Sequence, residues 1–251
     1  MRSTLPYPKS ISHTPSDSLT GVFVASTILL FWVGSLIFLF SINVAHVPVV
    51  FIVLAVLFRI FIQTGLFITA HDAMHGLVFS GNRKINDFIG SVAIALYALL
   101  PYKVLLKKHI MHHRAPASAD DPDFFADGTS NPVVWYFQFM KGYLDGKSIW
   151  FSMIGITVIF HSLRWLVQIP MSNLLLFWVV PSLISSVQLF YFGIYLPHRQ
   201  PEGGYDNRHR ARSSNYPVLW SFISCYHFGY HWEHHEYPNL PWYRLPSGRK
   251  D

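Results

Sequence analysis

An all-helical integral membrane protein with a histidine-rich two-metal site at one membrane face is the fold class this sequence predicts. Three observations carry the prediction. The 251 residues are 51% hydrophobic and only 13% charged, whereas a soluble domain is nearer about 25% charged. Apolar runs recur that are long enough to cross a hydrocarbon core of roughly 30 Å. Eight histidines gather in three short clusters at the polar ends of those runs: His71-x-x-x-His75, His109-x-x-His112-His113 and His231-x-x-His234-His235.

The elements follow in order, as one domain over residues 1–251. Met1 to Leu19 is polar, contains Pro6, Pro8 and Pro15, and lacks the basic, apolar and small-residue succession of a cleaved signal peptide. The first span, 21–41, carries no charge and is expected to stay as an anchor. The second, 47–70, is interrupted by Arg59 and Gln63. The short link Ile42 to His46 makes the two spans an antiparallel hairpin. After the turn at Gly81-Asn82, the apolar segment 88–100 ends at Pro101. It is short for a crossing and predicts a re-entrant or interfacial helix. An acidic loop follows from Arg114 to Asn131. The third and fourth spans are 150–167 and 174–196, the latter with Pro181 as a candidate kink.

Four crossings put the N-terminus, the loop after span two and the C-terminal region on one side. That side holds Arg83, Lys84, Lys103, Lys107, Lys108, Arg114, Arg199, Arg208, Arg210 and Arg212. The positive-inside rule makes it cytoplasmic. A single crossing by 88–100 would put the first two histidine clusters in opposite compartments, and no shared site could form. The formal charge of +6 therefore reads as a topology signal. Nucleic-acid binding would need a solvated basic face, and none is evident.

His71 and His75 are spaced i,i+4, and the other two clusters use spacings of three and four, so each lies on one helical face. Imidazole suits iron, zinc, copper or nickel. One zinc usually takes four ligands, so eight histidines fit two metals with positions left open. The zincin pattern His-Glu-x-x-His is absent. Asp72 and Glu233 point away from the imidazole faces and are expected to orient ring nitrogens, with direct metal ligation as the lesser alternative. His227, four residues before His231, extends the third face and is expected to be a ninth ligand. His198, after the fourth span, is a candidate ligand or site-shaping group. His209 has a solvated or orienting role, and His13, His46 and His161 are structural. Arg59 is a charge at bilayer depth, where function or pairing is the rule. Gln63 at i+4 shares its polar face, and a structural pairing is expected. Cys225 is the sole cysteine, which excludes an intramolecular disulfide and a Cys-rich centre. Candidate contacts for a greasy substrate near the site are Leu66, Phe67, Leu96, Tyr97, Leu189 and Phe192.

Beyond the histidine clusters, the sequence resembles the bacterial and cyanobacterial beta-carotene ketolases of the membrane fatty acid desaturase and hydroxylase-like superfamily. The resemblance runs through His71 to Gly76, His109 to Arg114, Tyr195-Leu196-Pro197-His198-Arg199, Arg210 to Pro217, and Cys225 to Pro238. It implies a desaturase-like fold, two non-haem irons, dioxygen as co-substrate, and an external electron donor such as reduced ferredoxin with its reductase. It implies beta-carotene and related carotenoids as substrates, with keto groups placed at C4 and C4′ to give echinenone and canthaxanthin. The setting is carotenoid biosynthesis in a cell inner membrane, or in a thylakoid if the source is cyanobacterial. All eight histidines of the clusters, His71, His75, His109, His112, His113, His231, His234 and His235, carry over as catalytic metal ligands. In related desaturases the position of His227 is often an Asn associated with the metal centre. Alternatives are a carotenoid 3-hydroxylase, a fatty-acid desaturase and a metal transporter. A transporter would place its ligands near the bilayer midplane.

Overall fold

The computed structural model describes residues 15–125, 131–143 and 146–249; His13 lies outside them. Among the described residues every regular element is helical. The helices are α1 (Pro15–Ser41), α2 (Val49–Met74), α3 (Arg83–Ala98), α4 (Tyr102–Arg114), α5 (Pro132–Tyr143), α6 (Lys147–Trp165), α7 (Met171–His198), α8 (Val218–Cys225) and α9 (His231–Glu236). Short 3-10 turns at Val44–His46 and Trp242–Gly248 complete the set.

The helices α1, α2 and α7 are long and apolar enough to cross a membrane. The apolar part of α6, Ile149–Trp165, is shorter. Outward faces carry exposed apolar side chains such as Phe23, Leu30, Ile37, Leu54, Ile154 and Leu183. Such a surface suits lipid contact. The pair α3–α4 is apolar enough for one span but bends by 101°. Leu99 closes α3 in the left-handed region at φ 51°, and Pro101 disfavours helix at the residue before it. The bend turns α4 to present its histidines to the end of α2.

Packing deepens along α2. Val49 to Phe58 is largely outward, whereas burial is almost continuous from Arg59 to Met74. Gly90 lets α3 lie close, because a Cβ there would stand 2.6 Å from the Ala73 Cβ and from the Tyr102 ring. Buried polar groups join the helices. Trp32 Nε1 donates to Gln63 Oε1 at 2.7 Å, and Gln63 Nε2 donates to the Tyr97 carbonyl at 2.9 Å. Asn173 Nδ2 donates to the carbonyls of Leu39 and Ile42, both at 2.8 Å, tying the start of α7 to the end of α1.

Arg59 is 0% exposed and is structural. Its Nε donates to the Phe177 carbonyl at 2.9 Å, and its Nη1 donates to the Trp32 carbonyl at 2.9 Å and to Ser35 Oγ at 2.8 Å. The Phe177 carbonyl has a reason to need a donor. Pro181, four residues on, has no N–H to offer it. The helix α7 widens to a π-turn at Leu175–Val179 just before Pro181. It does so again at Tyr191–Tyr195 just before Pro197.

Candidate metal centre

Four helices deliver the site. His71 lies in the last turn of α2, and His75 caps that helix. His109, His112 and His113 lie on α4, His198 ends α7, and His231, His234 and His235 lie on α9. Ring nitrogens of His71, His75, His109 and His234 converge within 4.8 Å of one another, and those of His112, His198, His231 and His235 form a second such group. His113 lies between them, its ring 4.8 Å from His75 and His234 and 4.3 Å from His235. The eight predicted histidines therefore meet, and His198 makes nine.

The donor set fits two cations. Nε2 atoms face one another at 2.6 Å between His75 and His109, 2.9 Å between His113 and His234, and 3.1 Å between His112 and His235. Paired lone pairs at these distances need either a shared proton or a shared cation. His71 Nε2 and His198 Nε2 are buried without a hydrogen-bond partner. His198 Nδ1 lies 2.9 Å from the Arg210 carbonyl. A carbonyl only accepts, so Nδ1 carries the proton and Nε2 presents its lone pair. Burial, together with neighbouring imidazoles, pushes His231, His234 and His235 well below the usual imidazole range. They are neutral at physiological pH, which is the form that binds a metal.

The carboxylates are arranged differently from expectation. Asp72 Oδ1 stands 3.7 Å from His71 Nδ1, beyond a good hydrogen bond, and Oδ2 accepts from the Trp242 N–H at 3.1 Å. Glu233 does not orient a ring; it accepts from the Ser213 hydroxyl, which also accepts the Trp232 N–H. The group that orients His112 is Asp121, whose two oxygens both lie 3.0 Å from Nδ1. Asp123 stands beside it, with Oδ2 3.8 Å from the same nitrogen. Sequence reasoning passed over both because they sit in a loop. The signal was the acidic run Asp120-Asp121-Pro122-Asp123, which follows the second cluster closely.

His227 is not with the others. Tyr226 and His227 have φ of 49° and 61°, so the chain breaks between α8 and α9. The helical spacing to His231 does not hold there. The His227 ring packs among Phe222, Tyr230 and Trp242 instead. His209 lies outside both groups with Nε2 2.8 Å from Glu236 Oε2. His46 and His161 are exposed and far along the chain from the centre.

An apolar cavity of about 520 Å³ reaches the centre. His71, His109, His112, His231 and Phe228 bound its inner end, and Phe67, Leu96, Tyr97 and Leu189 line it. Its far side runs between α6 and α7, past Met153, Phe160, Trp178 and Leu183. Two expected contacts are elsewhere. Leu66 is fully buried in the helix core, on a different face of α2 from Phe67. Phe192 packs against Tyr191 and Tyr216. The π-turn at Tyr191–Tyr195 shifts the register, so Ile194 rather than Phe192 follows Leu189 on the cavity wall. Gly193, in that same turn, makes room for the Phe228 ring.

The model of the fatty acid desaturase family matches residues 45–251. This chain belongs to that family. It is 37% identical to the beta-carotene ketolase of Paracoccus sp. (strain PC1), across 94% of this chain and 95% of that protein. It is 38% identical to the zeaxanthin 4-ketolase of Chlamydomonas reinhardtii, across 94% of this chain and 54% of that protein. With the beta-carotene 4-ketolase of Protosiphon botryoides the identity is 36%, across 94% and 65%. The chain thus spans between half and two-thirds of the length of these algal relatives.

Proposed function

We propose that the protein is an oxygen-dependent carotenoid 4-ketolase whose nine clustered histidines hold two non-haem irons. The observation that carries this reading is the apolar cavity that ends on His71, His109, His112 and His231. A cavity with such walls takes a greasy ring and excludes water. The identity to ketolases over most of the chain supports the choice of carotenoid. Bound iron would supply dioxygen activation, which an aliphatic C–H bond needs because it has no acidic proton for a base.

The chain's own groups have separable tasks. Phe67, Leu96, Tyr97 and Leu189 hold the ring so that C4 faces the imidazoles. Asp121 and the Arg210 carbonyl fix the rings of His112 and His198. Each round takes one dioxygen, two electrons and two protons; one oxygen atom enters the C4–H bond and the other leaves as water. A second round at the same carbon gives a geminal diol, which loses water to leave the ketone. The electrons come from an external donor of the ferredoxin class. The topology that suits this has α1, α2, α6 and α7 crossing, α3–α4 re-entrant, and the histidines on the cytoplasmic side, where basic residues gather.

The test is pigment analysis by chromatography and mass spectrometry in beta-carotene-producing cells that express the chain. Echinenone or canthaxanthin is the expected product. Zeaxanthin would move the reaction to C3, and unchanged beta-carotene with iron and reductant verified would overturn the reading.

A further inference from the structure

Resting on that reading, we propose that Asp123 is a substrate-binding residue that accepts a hydrogen bond from the hydroxyl of the 4-hydroxy intermediate and keeps it in place for the second oxidation. Asp123 is 4% exposed and is the sole carboxyl among the described residues that line the apolar cavity. It shares the inner end with His109, His112 and His231. Its backbone is fixed from both sides: its N–H donates to Asp121 Oδ1 at 2.9 Å, and its carbonyl accepts from Trp135 Nε1 at 2.9 Å. Its Oδ1 is buried with no hydrogen-bond partner.

An unpaired carboxyl oxygen in an apolar wall is unfavourable. Beta-carotene is a hydrocarbon and has nothing to donate to it. The 4-hydroxy compound, the product of the first round, has one hydroxyl, and it sits on the carbon that faced the metal site. The serines of the same wall spend their own protons elsewhere, Ser152 on the Leu99 carbonyl and Ser182 on the Trp178 carbonyl, and Ser186 pairs with the Tyr136 hydroxyl; what they have left is a neutral hydroxyl oxygen, a weaker acceptor than a carboxylate. Asp123 Oδ1 is the buried carboxyl oxygen of that wall with no partner, and as the strongest acceptor there it is the one assigned to that hydroxyl. Satisfying it holds the alcohol and returns C4 to the same position.

The experiment compares turnover of beta-carotene and of its 4-hydroxy derivative by the whole membrane protein with its reductant. For the wild type, the KM for the alcohol should be lower than that for beta-carotene by about tenfold, the worth of one hydrogen bond to a charged group. Equal KM values overturn the proposal. In Asp123→Leu that preference should collapse, and the ratio of released alcohol to ketone should rise by about tenfold, with Asp123→Asn in between because its amide oxygen still accepts. An unchanged ratio in Asp123→Leu with iron retained overturns it as well. Should Asp123→Leu lose iron, the wild-type KM comparison decides alone. A wild type that makes no ketone from either compound refutes the ketolase reading, a different result from a ketolase without the preference.

Discussion

The two halves of the histidine centre are built from the same residue type and yet are supported differently. In the group of His112, His198, His231 and His235 every member is buried. Two of its rings are braced through the far nitrogen, His112 by Asp121 and His198 by the Arg210 carbonyl. In the group of His71, His75, His109 and His234, His75 and His109 are half-buried, and the carboxylate nearest His71 stands at 3.7 Å. Bracing fixes the tautomer and raises ligand basicity. The difference teaches that bracing falls on particular rings: His112 and His198 are held through Nδ1, while the Nδ1 atoms of His231 and His235 are buried without a partner.

The harshest way to break this contrast is to remove a ligand from the braced half. His112→Ala should lower ketone formation by more than about a hundredfold, beyond the range for outer-sphere partners, and should lower iron per chain. Full activity with two irons retained would remove His112 from the ligand set. A gentler cut leaves the ligand and removes its brace. Asp121→Asn should weaken iron binding by about 10- to 100-fold, whereas Asp72→Asn should change it by only about twofold, because Asp72 stands too far from His71 for a good hydrogen bond. Equal losses in a chelator competition would erase the asymmetry.

Chelation of the wild type sharpens the comparison in time. Iron release should be biphasic, with about half leaving first from the side of His75 and His109, since access governs exchange. One phase for all the iron would make the halves equivalent. The smallest effect is expected at His227. His227→Phe should keep the iron content and shift stability by about 1 kcal/mol, the usual scale for a single substitution. Thermal unfolding and metal analysis report the two quantities separately. Loss of iron there would return His227 to the ligand set.

Much of this was legible in the sequence because it rests on local periodicity. Apolar runs marked α1, α2 and α7, and Pro101 marked the end of the short apolar segment. Spacings of three and four put His109, His112 and His113 on one face. Two of the misses share a cause, which is that helical spacing was carried across breaks in the helix. Positive φ at Tyr226 and His227 ended the face that His227 was expected to extend. The π-turn at Tyr191–Tyr195 exchanged Ile194 for Phe192 at the cavity. Asp121 and Asp123 reach the centre from a loop, where no period announces direction. Glu233 does point away from the imidazoles, as its helix position implied, but towards Ser213 rather than a ring.

The contact of Arg59 with Phe177 has a consequence for how the chain is made. The hairpin α1–α2 leaves the ribosome long before α7, and on α1 Arg59 meets the Trp32 ring and hydrogen-bonds to the Trp32 carbonyl and Ser35. Its third partner is 118 residues further along the chain. A guanidinium at that depth is expensive while its bonds are unmade. Until α7 packs against the hairpin, that hydrogen bond is unmade. The same carbonyl ties the Phe177 face of α7 to α2. A proline in a late helix thus leaves free the carbonyl that an arginine in an early one uses.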